Sequence, residues 1–337
     1  MALLADNSIP HPALEVLITT DEETGMSGAM AVSKDNLDGK LLINLDNEEE
    51  GELLVSCAGG VRTNSAIKIE WQDRADKATM SINISGLKGG HSGMDIIKER
   101  GNSNKILGRI LKALKDELEF NIVKINGGSK NNAIPREAEV IISLDNSNVD
   151  KVTSIVNELA DVFANELKAQ DSGLKVVVNK VSVDESKEFN KDTTDKVINL
   201  LYLYPNGVNT RSTEIDGLVE SSTNLGVLST NEDYVEFDSA VRSSVPSLKK
   251  EIELRIKTIT EIIGAEFSSK SDYPGWEYDP NSKMREICQK VYKDMTGKEA
   301  KIVAIHAGVE CGLFNEKLGN LDMISFGPNL YDVHTPQ

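Results

Sequence analysis

The 337-residue sequence has no apolar run long enough to cross a membrane. A transmembrane helix needs about 18 or more consecutive apolar residues. The N-terminus also lacks the basic segment followed by an apolar one that marks a secretory signal peptide. These absences exclude a helical membrane protein and favour a cytoplasmic location.

The chain is also poor in positive charge. It has 37 lysine and arginine residues against 54 aspartates and glutamates, which gives a formal net charge of -17 at pH 7. A protein with this charge repels nucleic acids and anionic membranes. We therefore expect neither of them as a partner.

Cysteine is scarce, with only Cys57, Cys288 and Cys311 in the sequence. A disulfide framework needs paired cysteines, and a cysteine-based metal site usually contains a C-x-x-C motif. Three widely spaced residues fit neither. We expect them to be reduced thiols in the core.

The two ends of the chain share a pattern of short apolar runs separated by turns. Strand-like runs lie at 14–20, 41–45, 53–57 and 301–305, and residues 284–292 have the apolar spacing of a helix. Residues 1–60 are too short to bury a sheet alone. We expect them to fold with residues 272–337 as one domain.

The middle segment, residues 61–271, has a different pattern. Strand-like runs lie at 80–85, 138–144, 174–181 and 233–237, and apolar helical faces lie at 106–118, 152–167 and 248–263. The run at 80–85 alternates apolar and polar residues, as on a half-buried antiparallel strand. The pattern predicts an α+β layer with helices on one face of a sheet.

Acidic residues and a histidine follow three apolar runs of the two ends. Glu22 and Glu23 lie in the turn at the end of the run at 14–20, Asp46 follows the run at 41–45, and His334 follows the run at 324–328 after a short loop. In open α/β sheets, ligands gather outside the carboxyl ends of the strands. Carboxylates and imidazoles are ordinary zinc ligands, so these residues are candidates for a metal site. An Asp-Glu-Glu triplet taken alone more often marks a solvated turn.

Five motifs, in this order along the chain, resemble the aminoacyl-histidine dipeptidase branch of the M20 metallopeptidases. They are Thr19–Met26, Asn44–Glu48, Gly89–Gly93, Asn132–Arg136 and His306–Gly312. The resemblance implies an α/β fold with a zinc-exopeptidase-like catalytic domain, formed by 1–60 and 272–337, and an inserted α+β lid and dimerisation domain at 61–271. It also implies a homodimer.

The resemblance assigns roles around a pair of metal ions. Glu22 matches the family's general base, Glu23 a ligand of one metal, Asp46 a ligand of the other, and His334 the imidazole ligand beside Glu23. The implied cofactor is two zinc ions, and manganese or cobalt would also suit oxygen-rich sites. The metals would polarise the scissile carbonyl and lower the pKa of a water molecule.

The resemblance also assigns residues of the substrate pocket. His91 matches a lid histidine that stabilises the oxyanion, Asn132 a residue that contacts the substrate backbone, and Arg242 the arginine that receives the free carboxylate. Gly308 would bring backbone close to the peptide, with His306 and Glu310 as further candidates for the same pocket. Without the resemblance, His91 and Asn132 also fit ordinary turns, and Arg242 fits a surface cation.

A pocket for both the free amine and the free carboxylate fits only short peptides. The resemblance therefore implies metal-dependent hydrolysis of dipeptides, of the Xaa-His type with broad specificity. Two other interpretations stay open. One is a related M20 exopeptidase or deacylase with a different lid, and the other is a non-catalytic peptide-binding or dimerisation module.

The sequence departs from the family at both ends. Upstream of Glu22 the family has an His-x-Asp motif and a segment whose aspartate bridges the metals, and neither occurs here. Asp6 lies too close to the glutamate pair to be the bridging residue, and the chain stops at Gln337, directly after the last family motif. We therefore expect a chain truncated at the N-terminus and slightly at the C-terminus, which alone binds zinc weakly and is inactive.

Overall fold

The computed structural model of the protein describes residue 8 and residues 10–22, 25–75, 77–319 and 321–331. These residues divide into two compact units. The first unit takes in the described parts of Met1–Cys57, Pro274–Ala304 and Gly308–Gln337, and the second takes in Ala58–Tyr273 with Ile305–Ala307. The predicted roles of these parts as catalytic and lid domains stay a prediction.

The described residues form helices α1 to α7 and strands β1 to β17. The helices are Ser27–Ala31, Ser103–Glu117, Val149–Glu166, Lys191–Leu203, Pro246–Ile263, Lys283–Thr296 and Glu310–Leu318. The strands are Leu41–Asn44, Glu52–Cys57, Gly59–Lys68, Trp71–Asp73, Ala78–Ser85, Gly90–His91, Phe120–Gly127, Ala133–Ile134, Ala138–Leu144, Lys175–Val181, Lys187–Phe189, Gly207–Arg211, Val219–Thr230, Tyr234–Ser243, Glu266–Tyr273, Lys301–Ile305 and Asp322–Ser325. None of the helices in this part of the chain is long and apolar enough to span a membrane.

The first unit contains a small sheet in the strand order β1-β17-β2-β16. Strands β1 and β17 are parallel, with Asn44 opposite Ser325. Helix α6 packs on β2 and β17, and its start is fixed by Asp322, which accepts hydrogen bonds from the Ser282 hydroxyl at 2.5 Å and the Met284 backbone N–H at 2.9 Å. A carboxylate at this position satisfies free N–H groups of the first helical turn and opposes the helix dipole.

The prediction of a strand at 14–20 is wrong. Residues 10–19 have no strand structure, and the side chains of Val16 and Ile18 are exposed. The segment is instead attached through the Glu15 carboxylate, which accepts hydrogen bonds from the backbone N–H groups of Asp38 and Gly39 at 3.0 and 2.8 Å. An apolar run becomes a strand only beside a partner that completes its hydrogen bonds, and no described strand pairs with this one.

The second unit is built on a long antiparallel sheet in the order β10-β5-β9-β7-β13-β14-β3-β15, with β12 also paired to β13. Apolar side chains of α2, α3, α4 and α5 pack with those of the sheet in one core. On β5, Met80, Ile82 and Ile84 are at most 1% exposed, whereas the alternate residues are only partly buried. The predicted layer of helices on one face of a sheet is therefore present. On the other face, β5 carries the polar residues Ser81, Asn83 and Ser85.

Glu188, on β11, is a fully buried carboxylate in the second unit. It accepts hydrogen bonds from the side chains of Lys77, Gln72 and Asn121 at 2.7 Å, and from the Ser143 hydroxyl. Burial alone would raise its pKa, but hydrogen bonds from Lys77 and the other donors outweigh that effect and hold the pKa below the usual value. This network ties the short β4-β11 ribbon to the main sheet.

Candidate active site

His91 lies on a short strand that pairs with the strand directly after Asn132. Strands β6 and β8 form a ribbon in which His91 is opposite Ala133, and the backbone N–H of Ser92 donates to the Asn132 carbonyl at 2.9 Å. The His91 side chain is half-buried and Asn132 is exposed. Two predicted pocket residues from distant motifs thus lie side by side.

The loop that carries Asn132 is held by a neighbouring asparagine. The Asn224 amide, on β13, donates to the carbonyls of Asn131 and Ala133 at 2.9 and 2.8 Å. Next to it, β13 bulges at Gly226, where an added Cβ would lie 2.5 Å from the Asn131 Cα atom. Both ends of the peptide unit around Asn132 are therefore fixed, which sets the direction of its side chain.

The His91 ring is set up as a hydrogen-bond donor on one side. Its Nδ1 accepts from the backbone N–H groups of Gly93 and Met94 at 3.3 and 3.1 Å. Burial and the Arg242 charge lower the pKa of His91, while Asp95 opposes them. A neutral ring that accepts at Nδ1 carries its proton on Nε2, so Nε2 can donate to an oxyanion.

Arg242, on β14, is nearly buried at 9% exposure. Its Nη1 donates to the Tyr273 hydroxyl at 3.0 Å, whereas its Nε has no hydrogen-bond partner among the described residues. On the neighbouring β3, Gly60 is opposite Arg242, and a Cβ there would lie 2.6 Å from the Tyr273 hydroxyl. A buried guanidinium with an unpaired N–H is costly, and it is suited to receive an acceptor from outside.

His306 lies in the same unit and contacts the same face of the sheet. Its Nε2 is 2.7 Å from the Ser222 hydroxyl, and Ser222 is directly opposite Arg242 in the ladder of β13 and β14. Burial, followed by the charges of Arg242 and His91, lowers the pKa of His306 to about 3. We call His91, Arg242 and His306 the arginine–histidine cluster. The charge of Arg242 lowers the pKa of both histidines, and the charge of His91 lowers that of His306.

In the first unit, the loop after β1 runs beside the segment after β17. The Phe326 backbone N–H donates to the Asn44 carbonyl at 3.1 Å, and the Leu330 N–H donates to the Glu48 carbonyl at 2.9 Å. Asp46 therefore follows β1 at the same sheet edge as the segment that leads toward His334, as expected for parallel neighbours. Glu23 and His334 lie outside the described residues, so the predicted convergence of the metal ligands stays a prediction.

The turn that carries Glu22 is braced by Glu310, the first residue of α7. Glu310 is 7% exposed, and its Oε2 accepts a hydrogen bond from the Thr19 hydroxyl at 3.0 Å. The turn itself closes through hydrogen bonds from the Gly25 and Met26 N–H groups to the Asp21 carbonyl at 3.2 and 2.6 Å. Glu22 is half-buried at this turn.

Comparisons with known proteins identify the family. The model described as the peptidase dimerisation domain of the M20 type matches residues 82–171. The chain is 37% identical to the cytosol non-specific dipeptidase of Escherichia coli (strain K12) over 337 residues, which is all of this chain and 69% of the relative. The chain belongs to the M20 dipeptidase family. The predicted resemblance is confirmed.

A solved structure supports the same assignment for this M20 dipeptidase. Aminoacylhistidine dipeptidase from Vibrio alginolyticus is 38% identical and matches the fold with a TM-score of 0.96 over all of this chain and 69% of that one. The predicted mixed α/β fold with a dimerisation domain is therefore confirmed. The predicted truncation is not supported by these matches.

Family membership implies that this M20 dipeptidase uses a metal cofactor. Within the described ranges no group of three or more histidine, cysteine, aspartate or glutamate residues is placed to hold a metal ion. Glu23 and His334, two of the three predicted ligands, lie outside these ranges. The donor set of two carboxylates and one imidazole has the chemistry of a divalent-metal site, so the residues fit the implied cofactor.

Sequence reasoning missed three residues around the pocket of this M20 dipeptidase. Asn224 fixes the Asn132 loop, Ser222 contacts His306, and Tyr273 contacts Arg242. Ser222 and Asn224 belong to a run of polar residues that is at most 2% exposed. A polar run inside a strand is the signal that could have pointed to them, because buried polar groups need specific partners.

Proposed function

We propose that this chain carries the substrate pocket and metal ligands of a dipeptide-hydrolysing M20 peptidase with Xaa-His-type, broad specificity. The observation that carries the proposal is the nearly buried Arg242 with an unpaired Nε–H beside two histidines. The names of the two relatives, both dipeptidases, agree with it.

Arg242 binds the free carboxylate of the peptide. A guanidinium presents two parallel N–H groups that match both oxygens of a carboxylate. The site is poor in water, since Arg242 is 9% exposed and His306 is 7% exposed. A carboxylate there would satisfy the unpaired N–H and offset the positive charge, whereas a neutral C-terminal amide could accept the hydrogen bond but would leave the charge uncompensated.

His91 and Asn132 act on the scissile peptide unit. The Nε2–H group of His91 donates to the oxygen that becomes negative when water attacks the carbonyl. Asn132, exposed on its braced loop, hydrogen-bonds the peptide backbone. Gly308, two residues after the cluster residue His306 in the sequence, lets the backbone approach the peptide closely.

Glu22 is the general base, and Glu23, Asp46 and His334 hold the metal ions. Two zinc ions are the proposed cofactor, and manganese or cobalt would suit the same ligands. When bound, the metal polarises the carbonyl and lowers the pKa of the attacking water. Glu22 accepts a proton from that water and passes it to the leaving amine.

We propose a homodimer formed through the dimerisation domain that the family model places at 82–171. Nucleic acid and membranes are not proposed as partners, because the net charge of -17 opposes both. A cytoplasmic location also remains a proposal, in line with the name of the E. coli relative.

The proposal is tested by incubating the 337-residue protein with Ala-His and with zinc, manganese or cobalt. Since the sequence has no His-x-Asp motif and no bridging aspartate, we expect Ala-His to bind and the chain alone not to hydrolyse it. Robust turnover would show that another group, such as Asp6, replaces the missing ligand. Absence of dipeptide binding would refute the proposed function.

Two further binding measurements separate the alternatives, one with an N-acetyl amino acid and one with zinc removed. A deacylase would bind an N-acetyl amino acid in preference to Ala-His, because it does not need a free amine. A non-catalytic peptide-binding module would bind Ala-His with the same affinity whether zinc is present or removed. The Arg242 pocket fits the carboxylate of both ligands and cannot distinguish the three functions. The need for a free amine and the effect of zinc on affinity distinguish them.

A further inference from the structure

His306 has hydrogen-bond partners for both sides of its buried ring. Nε2 lies 2.7 Å from the Ser222 hydroxyl, and the ring also hydrogen-bonds the backbone carbonyl of Val219. A carbonyl can only accept, so the ring donates to Val219 and Nε2 accepts the proton of Ser222. With a pKa of about 3, the ring stays neutral at every pH near neutrality.

This arrangement leaves the Ser222 oxygen as an acceptor toward the rest of the pocket. Ser222 and Arg242 are directly opposite each other on β13 and β14. Side chains of opposed residues lie on the same face of the sheet, with Cβ atoms about 4.5–5.5 Å apart. The Arg242 side chain therefore starts beside Ser222, and its Nη1 donates to the Tyr273 hydroxyl at 3.0 Å.

The backbone of His306 is fixed to the same unit. A Cβ at Gly93 would lie 2.3 Å from the His306 carbonyl oxygen, so only glycine allows this approach. The Ala58 N–H donates to the carbonyls of Ile305 and Ala307 at 3.1 Å. The backbone position of His306 is therefore fixed, and its ring lies beside Ser222.

The chemistry of the cluster argues against a purely structural role. A histidine next to an arginine and a second histidine is an unfavourable choice for a core, because all three can carry positive charge. The unpaired Arg242 Nε–H, in a side chain that is about nine-tenths buried, points to a missing anion. A neutral histidine can orient the arginine without competing for that anion.

We propose that His306, acting through Ser222, is a positioning residue that fixes the Arg242 guanidinium for the free carboxylate of a short peptide. The functional part of this inference rests on the proposed function, since it takes a peptide carboxylate as the ligand. The positioning part concerns the free protein and can be tested without a ligand.

The first experiment records the NMR signals of the arginine side-chain N–H groups in the free protein. In the wild type we expect the Arg242 guanidinium to give separate, slowly exchanging Nη–H signals because it is held in one orientation. His306→Leu and Ser222→Ala should merge or broaden them. His306→Gln should restore them, because its amide oxygen can accept the Ser222 proton. Unchanged Arg242 signals in both His306→Leu and Ser222→Ala would overturn the proposal.

The second experiment compares binding of Ala-His with its C-terminal amide by calorimetry. We expect the wild type to prefer the free carboxylate by about tenfold or more, as for a hydrogen bond to a charged group. Arg242→Met should remove the preference. His306→Leu should reduce the preference for the free carboxylate by about fivefold or more. Added to Arg242→Met, it should change the preference little further, because residues that act as a unit are not additive. If His306→Leu lowered the affinities for Ala-His and for its amide equally, His306 would have a structural role and the proposal would be contradicted.

His11→Leu is the matched control, since His11 is exposed, and it should change neither readout. If His306→Leu does not fold, Ser222→Ala and His306→Gln provide the same tests. If the wild type binds neither ligand, the proposed function fails, while the Arg242 signals still decide whether His306 positions the guanidinium.

Discussion

The two units differ in how much apolar surface they bury. In the second unit, side chains of the helices and the long sheet form one continuous core. One apolar cluster of the first unit contains four buried residues, Leu53, Met284, Ala300 and Ile324, and other buried apolar side chains of this unit, such as Leu54, Phe314 and Met323, lie outside that cluster. On α6 of the first unit, Ile287, Val291 and Met295 recur at helical spacing and are 48–80% exposed. Burial of apolar area is the main source of stability, so we infer that the second unit is the more stable one.

The same difference applies to the candidate site residues. His91 and Arg242 lie on paired strands of the second unit and Asn132 lies in the turn before β8, with hydrogen bonds from Asn224 to that turn and from Arg242 to Tyr273. In the first unit, Glu22 lies on a turn held through the contact of Glu310 with Thr19, and Asp46 lies on an exposed loop. The residues proposed to bind the substrate are thus supported by the long sheet, whereas the proposed base Glu22 and the proposed metal ligand Asp46 lie on a turn and a loop.

The largest expected effect is a cavity in the core of the second unit. Leu111 on α2 is fully buried, and Leu111→Ala should lower the free energy of unfolding by about 3–4 kcal/mol because it removes apolar contacts and leaves a void. Denaturant titration with fluorescence or circular dichroism measures it. Leu45→Ala in the first unit, where the residue is 69% exposed, is the control and should change stability by less than about 0.5 kcal/mol. Equal losses in the two variants would remove the contrast between the units.

The next effect is the loss of the buried carboxylate at Glu188. Glu188→Gln puts an amide N–H group among donors from Lys77, Gln72 and Asn121, and we expect a loss of about 2–3 kcal/mol. The folded pKa of Glu188 lies below its unfolded value, so the carboxylate stabilises the fold above the unfolded pKa of about 4.3 and this contribution is lost as pH falls through the folded pKa.

The pH dependence of that loss checks its cause. Unfolding measured from pH 7 down to pH 3 should show the difference between wild type and Glu188→Gln shrinking at the acid end. A difference that stays constant over this range would show that the charge of Glu188 is not responsible. Glu185→Gln, at an exposed residue nearby in the sequence, is the control.

Removal of the brace behind Asn132 should have a more local effect. Asn224→Leu loses two hydrogen bonds to the loop carbonyls, and we expect a loss of about 1–2 kcal/mol in stability. Hydrogen exchange by mass spectrometry should show faster exchange at 128–134 and an unchanged rate in β5. Asn209→Leu, on the neighbouring β12, should leave the loop protected. Protection of 128–134 in both variants would mean that β6 and Gly226 suffice to hold the loop.

The smallest expected effect is in the first unit. Thr19→Val removes the hydroxyl that donates to Glu310, and both oxygens of a nearly buried carboxylate then lack a donor from this side. We expect a loss of about 1 kcal/mol, with faster hydrogen exchange at 19–28. Thr213→Val, at an exposed residue of the second unit, is the matched control. An exchange rate at 19–28 that does not respond to Thr19→Val would show that Glu310 does not brace the turn.

Regular elements with a strong apolar period were predictable from sequence. The strands at 138–144 and 301–305 were predicted with their observed bounds, and the helices at 106–118, 152–167 and 248–263 lie within three residues of α2, α3 and α5 at each end. In the strand at 138–144 and the three helices, apolar side chains face one core, so the spacing reports directly on burial, whereas the strand at 301–305 is only partly buried.

Elements whose buried residues are polar were not predictable in this way. In β13, Ser221, Ser222, Thr223 and Asn224 are at most 2% exposed although none of them is apolar, so a hydrophobic pattern gives no signal. The opposite failure occurred at 14–20, where apolar residues predicted a strand that has no partner. The pairing of His91 with Ala133 is equally invisible in sequence, because β6 and β8 are two residues long and far apart in the chain.

The most direct test of the metallopeptidase account is a crystal structure of the protein soaked in zinc, with anomalous scattering recorded at the zinc edge. We predict a zinc peak at about 2.0–2.2 Å from a Glu23 carboxylate oxygen and the His334 imidazole nitrogen, with Asp46 nearby as a ligand of the second metal ion. An imidazole of His334 far from both carboxylates, with no zinc between them, would contradict the account.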